Sequence, residues 1–572
     1  MANLNIDSVK ARTYDAIVIG SGMAGGWAAK ELTGKGLKTL VVERGRDVQH
    51  IKDYPTTNMM PWEFPHGGAL PLDVKEANPV VSRCYAFRED AMHFFVKDAE
   101  HPYVQEKPFD WIRGYQVGGK SLMWARQTQR WSSFDFEGPA RDGFAVDWPI
   151  RYQDVAPWYS YVEKFAGISG HADGLAELPD GEFLPAYPLN AVEDYFRQQV
   201  KQKYPGRHVI SARCAHLSKP NPVHYEQGRV QCQNRVLCQR GCPFGGYFSS
   251  NSTTLPWAQK SGLLTLKPNQ VVQSILYDEQ QQRATGIRVV DTHTKATTEY
   301  YARIVFVNAG ALNTNLLLLN STSHRFPQGL GNDNGLMGKF VGFHNYSARI
   351  SAEYDGAKDL TTDGRNPAGG GYIPRFRNVF KQETNFLRGY AAGLEAHRGL
   401  DHTEHAIGNG FKDSILHPKF GPWTVGSHMM GETIPKETNY VRLDPTRKDE
   451  WGMPLLNISV AYDDNDAKMK QDYFDQFSEM FTQAGFTNIK TQDSGQAPGL
   501  DIHEMGGVRM GRDPKTSLLN EWNQLHACPN VFVTDGACMT STSTQNPSLT
   551  YMALTARAVD YAVKAAARGG VV

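Results

Sequence analysis

The apolar positions at the start of the chain follow two patterns. Residues 16–19 are a short, wholly apolar run, as in a buried parallel strand, and a glycine-rich turn follows at once. Trp27, Ala28 and Leu32 then recur at helical spacing, and residues 39–42 are a second apolar run. The pattern predicts a strand, a helix and a second strand, which together make a βαβ unit.

Strand patterns return later in the chain. Residues 271–310 alternate apolar and polar positions in short runs, which predicts a β-meander that returns to a buried strand. Residues 531–534 predict a further strand, and an alanine-rich apolar stripe from residue 549 to about residue 567 predicts the last helix. Because 572 residues exceed what one hydrophobic core organises, we expect an α/β fold with two large domains.

The charge balance excludes several classes of partner. Lysine plus arginine (60) equals aspartate plus glutamate (60), so no net field attracts nucleic acid or an anionic membrane. No apolar run is long enough to span a bilayer, and the first residues lack the apolar core of a signal peptide. We expect a small or neutral ligand, no nucleic acid partner, no transmembrane segment and no export signal in this chain.

The turn after the first strand matches a dinucleotide fingerprint. Gly20 allows the tight turn, Gly22 lets backbone amides approach a pyrophosphate, and Gly25 allows close helix packing. Glu43 ends the second strand 18 positions after Gly25 and can accept a hydrogen bond from a ribose hydroxyl. The sequence therefore predicts a bound dinucleotide, and this motif alone does not separate NAD from FAD.

Two later segments together resemble a known family. Residues 113–124 (RGYQVGGKSLMW) form a second glycine-rich turn, able to lay backbone amides against a ring system or a phosphate. The C-terminal motifs are, in chain order, His503, Gly507, Arg509-Met510-Gly511, Asp513-Pro514, Asp535-Gly536 and Asn546-Pro547. This order resembles the signature of the glucose-methanol-choline (GMC) family of FAD oxidoreductases.

The resemblance implies a two-domain fold similar to that of p-hydroxybenzoate hydroxylase. A Rossmann-like FAD-binding domain with a β-meander would be assembled from residues 1–55, 105–135, 226–325 and 496–572. A sheet-and-helix substrate domain with insertions would take residues 56–104, 136–225 and 326–495. The middle of the chain matches the family only by position and length, so substrate contacts cannot be carried over.

The resemblance also implies site residues. His503 would take the proton of a substrate hydroxyl and Asn546 would hydrogen-bond the same hydroxyl, although Asn546 before Pro547 is also the pattern of a helix N-cap. The implied FAD contacts lie in the two glycine-rich turns, the second strand end, the meander and the C-terminal motifs: Gly20, Gly22, Met23, Ala24, Gly25, Glu43, Arg44, Gly118, Gly119, Ser121, Met123, Trp124, Val271, Ala309, Gly310, Asp535, Gly536, Asn546 and Pro547.

One position departs from part of the family. Some sugar-oxidising relatives carry a histidine immediately before the tryptophan of the second glycine-rich turn, and in certain oxidases it bonds covalently to the flavin. Here Met123 takes that place, before Trp124. Because a thioether is no comparable nucleophile, we expect noncovalent FAD.

Three of the seven cysteines lie close together in CQNRVLCQRGCPFGG. Thiolates at Cys232, Cys238 and Cys242 can surround one small soft centre. A structural zinc would need a fourth ligand such as His224 or Cys214, and a disulfide would leave one thiol over. The C-x5-C-x3-C-P spacing resembles the bacterial iron–sulfur branch of the family, which implies a [3Fe-4S] cluster that takes electrons one at a time.

That branch includes glucoside 3-dehydrogenases, FAD glucose dehydrogenases and the gluconate 2-dehydrogenase large subunit. It implies a dehydrogenase that oxidises a secondary ring hydroxyl of a sugar or glycoside, with C3 of glucosides as the specific expectation. Oxidation of an aldose at C1 or of gluconate at C2, a cluster-free sugar oxidase that makes hydrogen peroxide, and a noncatalytic electron-transfer subunit remain alternatives.

The resemblance also suggests how the chain is located. Relatives in the iron–sulfur branch pair with a small subunit bearing a twin-arginine signal, and some also with a cytochrome c. We therefore expect a periplasmic location by co-export with such a partner, or a cytoplasmic location without one.

Overall fold

The predicted βαβ unit lies within an eight-stranded sheet in the computed structural model, which describes residues 12–360, 369–401 and 407–569. Strand Thr13–Ile19 pairs in parallel with Thr39–Val42 on one side and with Thr297–Val307 on the other. Helix Met23–Gly34 connects the first two strands. The predicted strands at residues 16–19 and 39–42, and the helix between them, are confirmed.

The rest of this sheet, called the parallel sheet below, extends the unit on both sides. Leu264–Lys267 pairs in parallel with the second strand, and Cys528–Val533 pairs in parallel with Thr297–Val307. Gln270–Asp278, Arg283–Asp291 and Thr297–Val307 form the predicted antiparallel meander, and Gln524–Leu525 is an edge strand. The predicted strand near residue 531 and the predicted last helix, Ser548–Ala567, are also confirmed.

A second, seven-stranded sheet is antiparallel throughout and is called the antiparallel sheet below. Its strands are Ile210–Ser211, His344–Asn345, Ala348–Tyr354, Gly371–Ile373, Tyr390–Asp401, Lys419–Glu432 and Thr487–Asp493. Helix Asp464–Gln483 packs on it. This helix buries Met469, Tyr473, Phe477 and Met480, which recur at helical spacing, so its apolar stripe faces the sheet.

The remaining helices and strands lie outside these two large sheets, and the remaining strands form a three-stranded and a two-stranded sheet. The helices are Leu72–Ala77, Ser133–Asp142, Tyr152–Ala166, Ala191–Lys203, Pro222–Glu226, Thr254–Lys260, Ala311–Asn320 and Asn409–Leu416; the strands are Val104–Gln105, Ile168–Ser169, Phe183–Leu184, Tyr440–Lys448 and Pro454–Ser459. Among the described residues, no helix combines the length and apolar character that crossing a membrane requires.

The mixed α/β class is confirmed, while the domain boundaries stay a prediction. The strands of the parallel sheet come from three separate stretches of the chain, residues 13–42, 264–307 and 524–533. Most strands of the antiparallel sheet lie between residues 344 and 493. The carboxyl ends of the parallel strands point toward the space between the two sheets, which is where ligands of open α/β sheets bind.

Candidate active site

A cavity of about 870 Å³ lies where the parallel strands end, and strands of the antiparallel sheet close its far side. Most residues that the sequence assigned to FAD or catalysis line it: Gly20, Gly22, Met23, Ala24, Glu43, Arg44, Gly119, Ser121, Met123, Trp124, Val271, Ala309, Gly310, His503, Asp535, Gly536, Asn546 and Pro547. Gly25 and Gly118 lie behind this lining. The fold therefore brings segments more than 500 residues apart to one cavity.

The two glycine-rich turns meet at the beginning of helix Met23–Gly34. A Cβ on Gly119 would lie 3.3 Å from Gly22 Cα, and the Gly118 N–H donates to Ser21 Oγ at 3.0 Å. A Cβ on Gly25 would lie 1.9 Å from the Gly20 carbonyl oxygen, whereas a Cβ on Gly22 would meet no atom within 4 Å. The open side of Gly22 and the uncapped helix amides fit the pyrophosphate of a dinucleotide.

Glu43 lies at the end of the second strand, buried beside the first turn. Its Oε2 accepts from the Ser21 amide at 3.1 Å and from Ser21 Oγ at 2.7 Å, and its Oε1 accepts from the Gly45 amide at 3.0 Å. Burial raises the pKa of Glu43, while these bonds favour the charged form. A carboxylate has about four acceptor positions, so the group retains room for a ribose hydroxyl.

Asp535 holds two strand ends together at the same cavity. Its Oδ2 accepts from the Gly310 amide at 2.9 Å and from Thr314 Oγ1 at 2.6 Å, and its Oδ1 accepts from the Ala537 amide at 2.9 Å. Burial nevertheless raises the pKa of Asp535 to about 6. The carboxylate thus fixes the loop after Cys528–Val533 against the start of helix Ala311–Asn320.

The predicted catalytic pair is in direct contact. Asn546 Nδ2 donates to His503 Nε2 at 3.2 Å, and both side chains line the cavity. Burial, His344 and Lys120 lower the pKa of His503 well below its usual value, so the imidazole is neutral near pH 7. The N-cap interpretation of Asn546 is wrong: helix Ser548–Ala567 has Pro547 at its N-cap position, and no side chain caps it.

The cysteine segment lies beside the same cavity. Cys238 lines it, whereas Cys232 and Cys242 do not, and all three are free and half-buried. Cys238 Sγ is 3.6 Å from His216 Nε2, and the Gly246 amide donates to Cys242 Sγ at 3.3 Å. The three sulfur atoms do not all lie within 4.8 Å of one another. Because sulfurs that share one zinc lie about 4 Å apart, the arrangement fits a single zinc ion poorly.

Several cavity residues have no signal in the sequence. Glu395 and His428 project from neighbouring strands of the antiparallel sheet, and Tyr346 follows the short strand that carries His344. Alternation along those strands would place every second residue on the cavity side, but it cannot say which face meets the cavity. Lys120, which forms an ion pair with Glu504 at 2.9 Å, lies in the second glycine-rich turn, whose motif does not single it out.

His344, Asp501 and His503 are, within the described residues, the one group of three potential metal ligands whose ligand atoms lie within 4.8 Å of one another. The ring nitrogens of His344 and His503 are already engaged in hydrogen bonds. His344 Nδ1 lies 2.9 Å from His503 Nδ1, and His344 Nε2 lies 3.0 Å from the Thr542 carbonyl oxygen. We assign this group to the catalytic pair and not to a metal.

The fold and the cavity define a class of protein: a Rossmann-like dinucleotide-binding enzyme with a histidine–asparagine pair beside the dinucleotide turns. The chain belongs to the GMC oxidoreductase family, which matches residues 14–336 and 435–555. It is thus an oxidoreductase that acts on CH–OH groups, and proteins of this family generally bind FAD.

Relatives match over nearly the whole chain. 2-Methyl-1,2-propanediol dehydrogenase of Mycolicibacterium austroafricanum is 28% identical, over 97% of this chain and 96% of that protein. The fructose dehydrogenase large subunit of Gluconobacter japonicus is 24% identical, over 96% and 97%. The gluconate 2-dehydrogenase flavoprotein of Pantoea cypripedii is 24% identical, over 95% and 92%.

The fold also matches a solved structure. Pyridoxine 4-oxidase from Mesorbium loti superposes with a TM-score of 0.59 at 15% identity, over 96% of this chain and 99% of that chain. At this identity the likeness shows the fold alone, and it confirms the predicted fold class.

Proposed function

We propose that this protein is an FAD-dependent dehydrogenase that oxidises a hydroxyl of a sugar or glycoside. The observation that carries the proposal is the contact between Asn546 Nδ2 and His503 Nε2 in the cavity that also contains both glycine-rich turns. A neutral imidazole nitrogen is a suitable base for a hydroxyl proton, and an amide N–H beside it can donate to the substrate oxygen.

The residues of the cavity fit FAD. The space beyond Gly22, the uncapped helix amides and the Glu43 carboxylate match a pyrophosphate and a ribose. Bound FAD would supply the acceptor for the carbon-bound hydride. Met123 lines the cavity and offers no covalent attachment, so acid precipitation should release all flavin into the supernatant.

A polar substrate is supported by the far side of the cavity. Glu395, His428 and Gln127 provide charged and amide groups there, as recognition of several hydroxyls requires. Two relatives are named for fructose and gluconate, which also supports a polyol class. We propose a secondary ring hydroxyl, with C3 of glucosides as the specific site; C3 rests on resemblance to one branch of the family.

The substrate proposal is tested by anaerobic mixing of the FAD-loaded protein with glucosides, aldoses and gluconate, followed by product analysis. Flavin bleaching with a 3-keto-glucoside as product supports C3; a lactone or a 2-keto acid as product moves the reaction to aldose C1 or gluconate C2. Peroxide equal to substrate consumed, under air, indicates an oxidase.

Two variants test the catalytic role. His503→Ala should abolish substrate-driven bleaching while FAD stays bound. His526→Gln is the control, because His526 is partly buried and bonds to Ser517 Oγ at 3.1 Å outside the cavity. Unchanged substrate-driven bleaching in His503→Ala would mean that His503 is not the base, whereas a wild type that no substrate bleaches would argue for a noncatalytic electron-transfer subunit.

We further propose that Cys232, Cys238 and Cys242 hold an iron–sulfur centre, which would provide a one-electron exit beside the flavin. Two buried arginines near them support it. Arg126 is 5% and Arg229 0% exposed; Arg126 interacts electrostatically with Cys238 and Arg229 with Cys242, and neither forms an ion pair with a carboxylate among the described residues. A centre with thiolate ligands would supply the missing negative charge, since a buried cation without an anion is costly.

The Gly246 amide that donates to Cys242 Sγ is typical of hydrogen bonding to cluster sulfurs. Iron, sulfide, zinc and FAD should be measured per chain after anaerobic purification. We expect about three irons in the wild type, loss of iron in Cys238→Ser, and retention in Cys528→Ser, whose thiol is buried in the parallel sheet. FAD without iron or sulfide in the wild type would return these cysteines to a structural role.

A protein partner follows from the same proposal. One relative is named as a large subunit, which supports a subunit partner. We propose further that this partner is small and bears a twin-arginine signal, that a cytochrome c is a further acceptor, and that the location is periplasmic. Sizing of the protein purified from its native source tests this. A mass well above 63.8 kDa, with a second polypeptide in the peak, is expected; a single polypeptide would contradict it.

A further inference from the structure

The proposed base is held by a second histidine that no motif indicates. His503 Nδ1 lies 2.9 Å from His344 Nδ1, on the side of the ring opposite Asn546. His344 is fully buried, on the two-residue strand His344–Asn345, and its Nε2 lies 3.0 Å from the Thr542 carbonyl oxygen. The two rings cross nearly at right angles, with centroids 5.0 Å apart.

These contacts determine which nitrogen of each imidazole carries the hydrogen. A carbonyl oxygen only accepts, so the hydrogen of that bond belongs to His344 Nε2. A neutral imidazole has one N–H, so His344 Nδ1 is an acceptor and the hydrogen between the two rings belongs to His503 Nδ1. His503 Nε2 is then the nitrogen with a free lone pair, which matches the N–H that Asn546 directs toward it.

Both rings are neutral in this environment. Burial is the main cause that lowers the pKa of His344 to about 4; Arg375 acts in the same direction, and hydrogen bonds with the backbone at Thr542 and Ser543 oppose it. Burial and Lys120 act in the same direction on the pKa of His503. Asp501 is the acidic group nearest the pair: its Oδ2 accepts from the His344 backbone amide at 2.8 Å and lies 4.0 Å from His503 Nδ1. That bond anchors the short strand against the segment that carries the base.

We infer that His344 is a positioning residue that holds His503 in the Nδ1–H tautomer and thereby makes Nε2 the base. The inference rests on the proposed function, in which a substrate hydroxyl gives its proton to His503 Nε2. After that transfer, His503 carries a hydrogen on both nitrogens, and the Nδ1–H continues to donate to His344. The same contact serves the resting and the protonated ring, so no reorientation is needed during the reaction.

Two substitutions at the same position separate this role from a structural one. Asparagine in His344→Asn can place its amide oxygen near the position of the imidazole Nδ1 and keep an acceptor for His503. Glutamine in His344→Gln can place its amide nitrogen near the Nε2 position and keep the bond to Thr542, but it loses the acceptor. Simple loss of packing would affect both variants similarly.

The measurement is the rate of flavin reduction by substrate under anaerobic conditions, with FAD content and melting temperature of each variant. We expect His344→Gln to be slower by about 10²- to 10⁴-fold with little change in KM, the scale seen when a catalytic histidine has the wrong tautomer. His344→Asn should stay within about tenfold of the wild type. His526→Gln again serves as the control.

A second readout needs no turnover. Nitrogen-15 spectra of histidine-labelled holoenzyme distinguish an N–H nitrogen from a bare one, and the His503 signals are assigned by their loss in His503→Ala. A bare Nε2 and a protonated Nδ1 in the wild type support the inference; the opposite assignment overturns it, even where a His344 variant does not fold.

The two proposals fail in different ways. If no sugar or glycoside reduces the flavin of the wild type, the proposed function is wrong. If His503→Ala reduces flavin like the wild type, the assignment of His503 as the base is wrong, and the role of His344 with it. If His503→Ala is inactive but His344→Gln and His344→Asn are equally active, only the role of His344 is wrong.

Discussion

Replacing Gly22 with alanine should weaken FAD binding without harming the fold. The backbone at Gly22 has φ −69°, which any L residue adopts, and an added Cβ would meet no protein atom within 4 Å. The methyl group would instead occupy the side of the turn where the pyrophosphate is expected. Overpacking a close contact by one methyl costs about 1–3 kcal/mol. At about 1.4 kcal/mol per factor of ten, FAD should bind roughly 5- to 150-fold more weakly.

The stability of the apoprotein, in contrast to its affinity for FAD, should be unchanged or slightly higher in Gly22→Ala. Glycine to alanine at an allowed φ stabilises a fold by about 0.4–1 kcal/mol, because the unfolded chain loses conformational freedom. Gly25→Ala is the matched comparison, since its Cβ would lie 1.9 Å from the Gly20 carbonyl oxygen where 3.4 Å is an ordinary contact. That overlap requires a backbone shift and should cost about 3 kcal/mol or more.

Quenching of flavin fluorescence on titration with apoprotein gives the FAD affinity, and urea unfolding of apoprotein gives the stability. We expect Gly22→Ala to lose affinity at unchanged or higher stability, and Gly25→Ala to lose stability. A Gly22→Ala protein that binds FAD as tightly as the wild type would refute the assignment of this turn to the pyrophosphate.

Three further predictions concern the site and its support. Asn546→Ala should slow substrate-driven flavin reduction by about 10²- to 10³-fold, the usual cost of losing one donor to developing charge, with His503 intact; a change below threefold would contradict the role. Glu432→Gln should lower the free energy of unfolding by about 3 kcal/mol, because Arg388, 3.0 Å away and fully buried, loses a charged partner; an unchanged urea midpoint would oppose this. Burial raises the pKa of Asp501 to about 7, so its carboxyl is neutral below that pH and negative above it. Turnover should therefore rise through pH 7, because the negative form stabilises a protonated His503, and Asp501→Asn should remove that step from the pH–rate profile.

The sequence predicts those parts of the fold in which the local sequence of a segment determines the structure of that segment. Parallel strands buried on both faces are continuous apolar runs, so the strands at residues 16–19 and 39–42 were recognisable by themselves. Gly25 is likewise determined by a close backbone contact within a few residues, because an added Cβ would lie 1.9 Å from the Gly20 carbonyl oxygen, whereas the close contact at Gly20 is with the distant Asn308. His503 is proposed as the base because the order of motifs around it resembles the signature of a family, and not because of a local pattern.

The partner of that base could not be found in this way. His344 is 159 residues from His503 in the chain, and its strand of two residues has no periodicity to interpret. Asn546 illustrates the opposite error: the pattern of Asn before Pro is typical of a helix cap, but the amide is used by His503 and the helix begins at Ser548. In each case a tertiary contact, absent from the local pattern, decides the role of the side chain.

The charges around the pair explain why the proposed base, with its low pKa, suits this cavity. Burial makes the imidazolium form of His503 unfavourable at rest, so the ring is available to accept a proton throughout the ordinary pH range. The free-energy cost of burying a charge arises only after proton transfer, when the His503 ring is positively charged and must be stabilised in a buried environment. Asp501, 4.0 Å from Nδ1, and the acceptor nitrogen of His344 lie on the side of the ring away from the Asn546 contact. The cavity thus favours a neutral base before the reaction and places the stabilising groups where the charge develops.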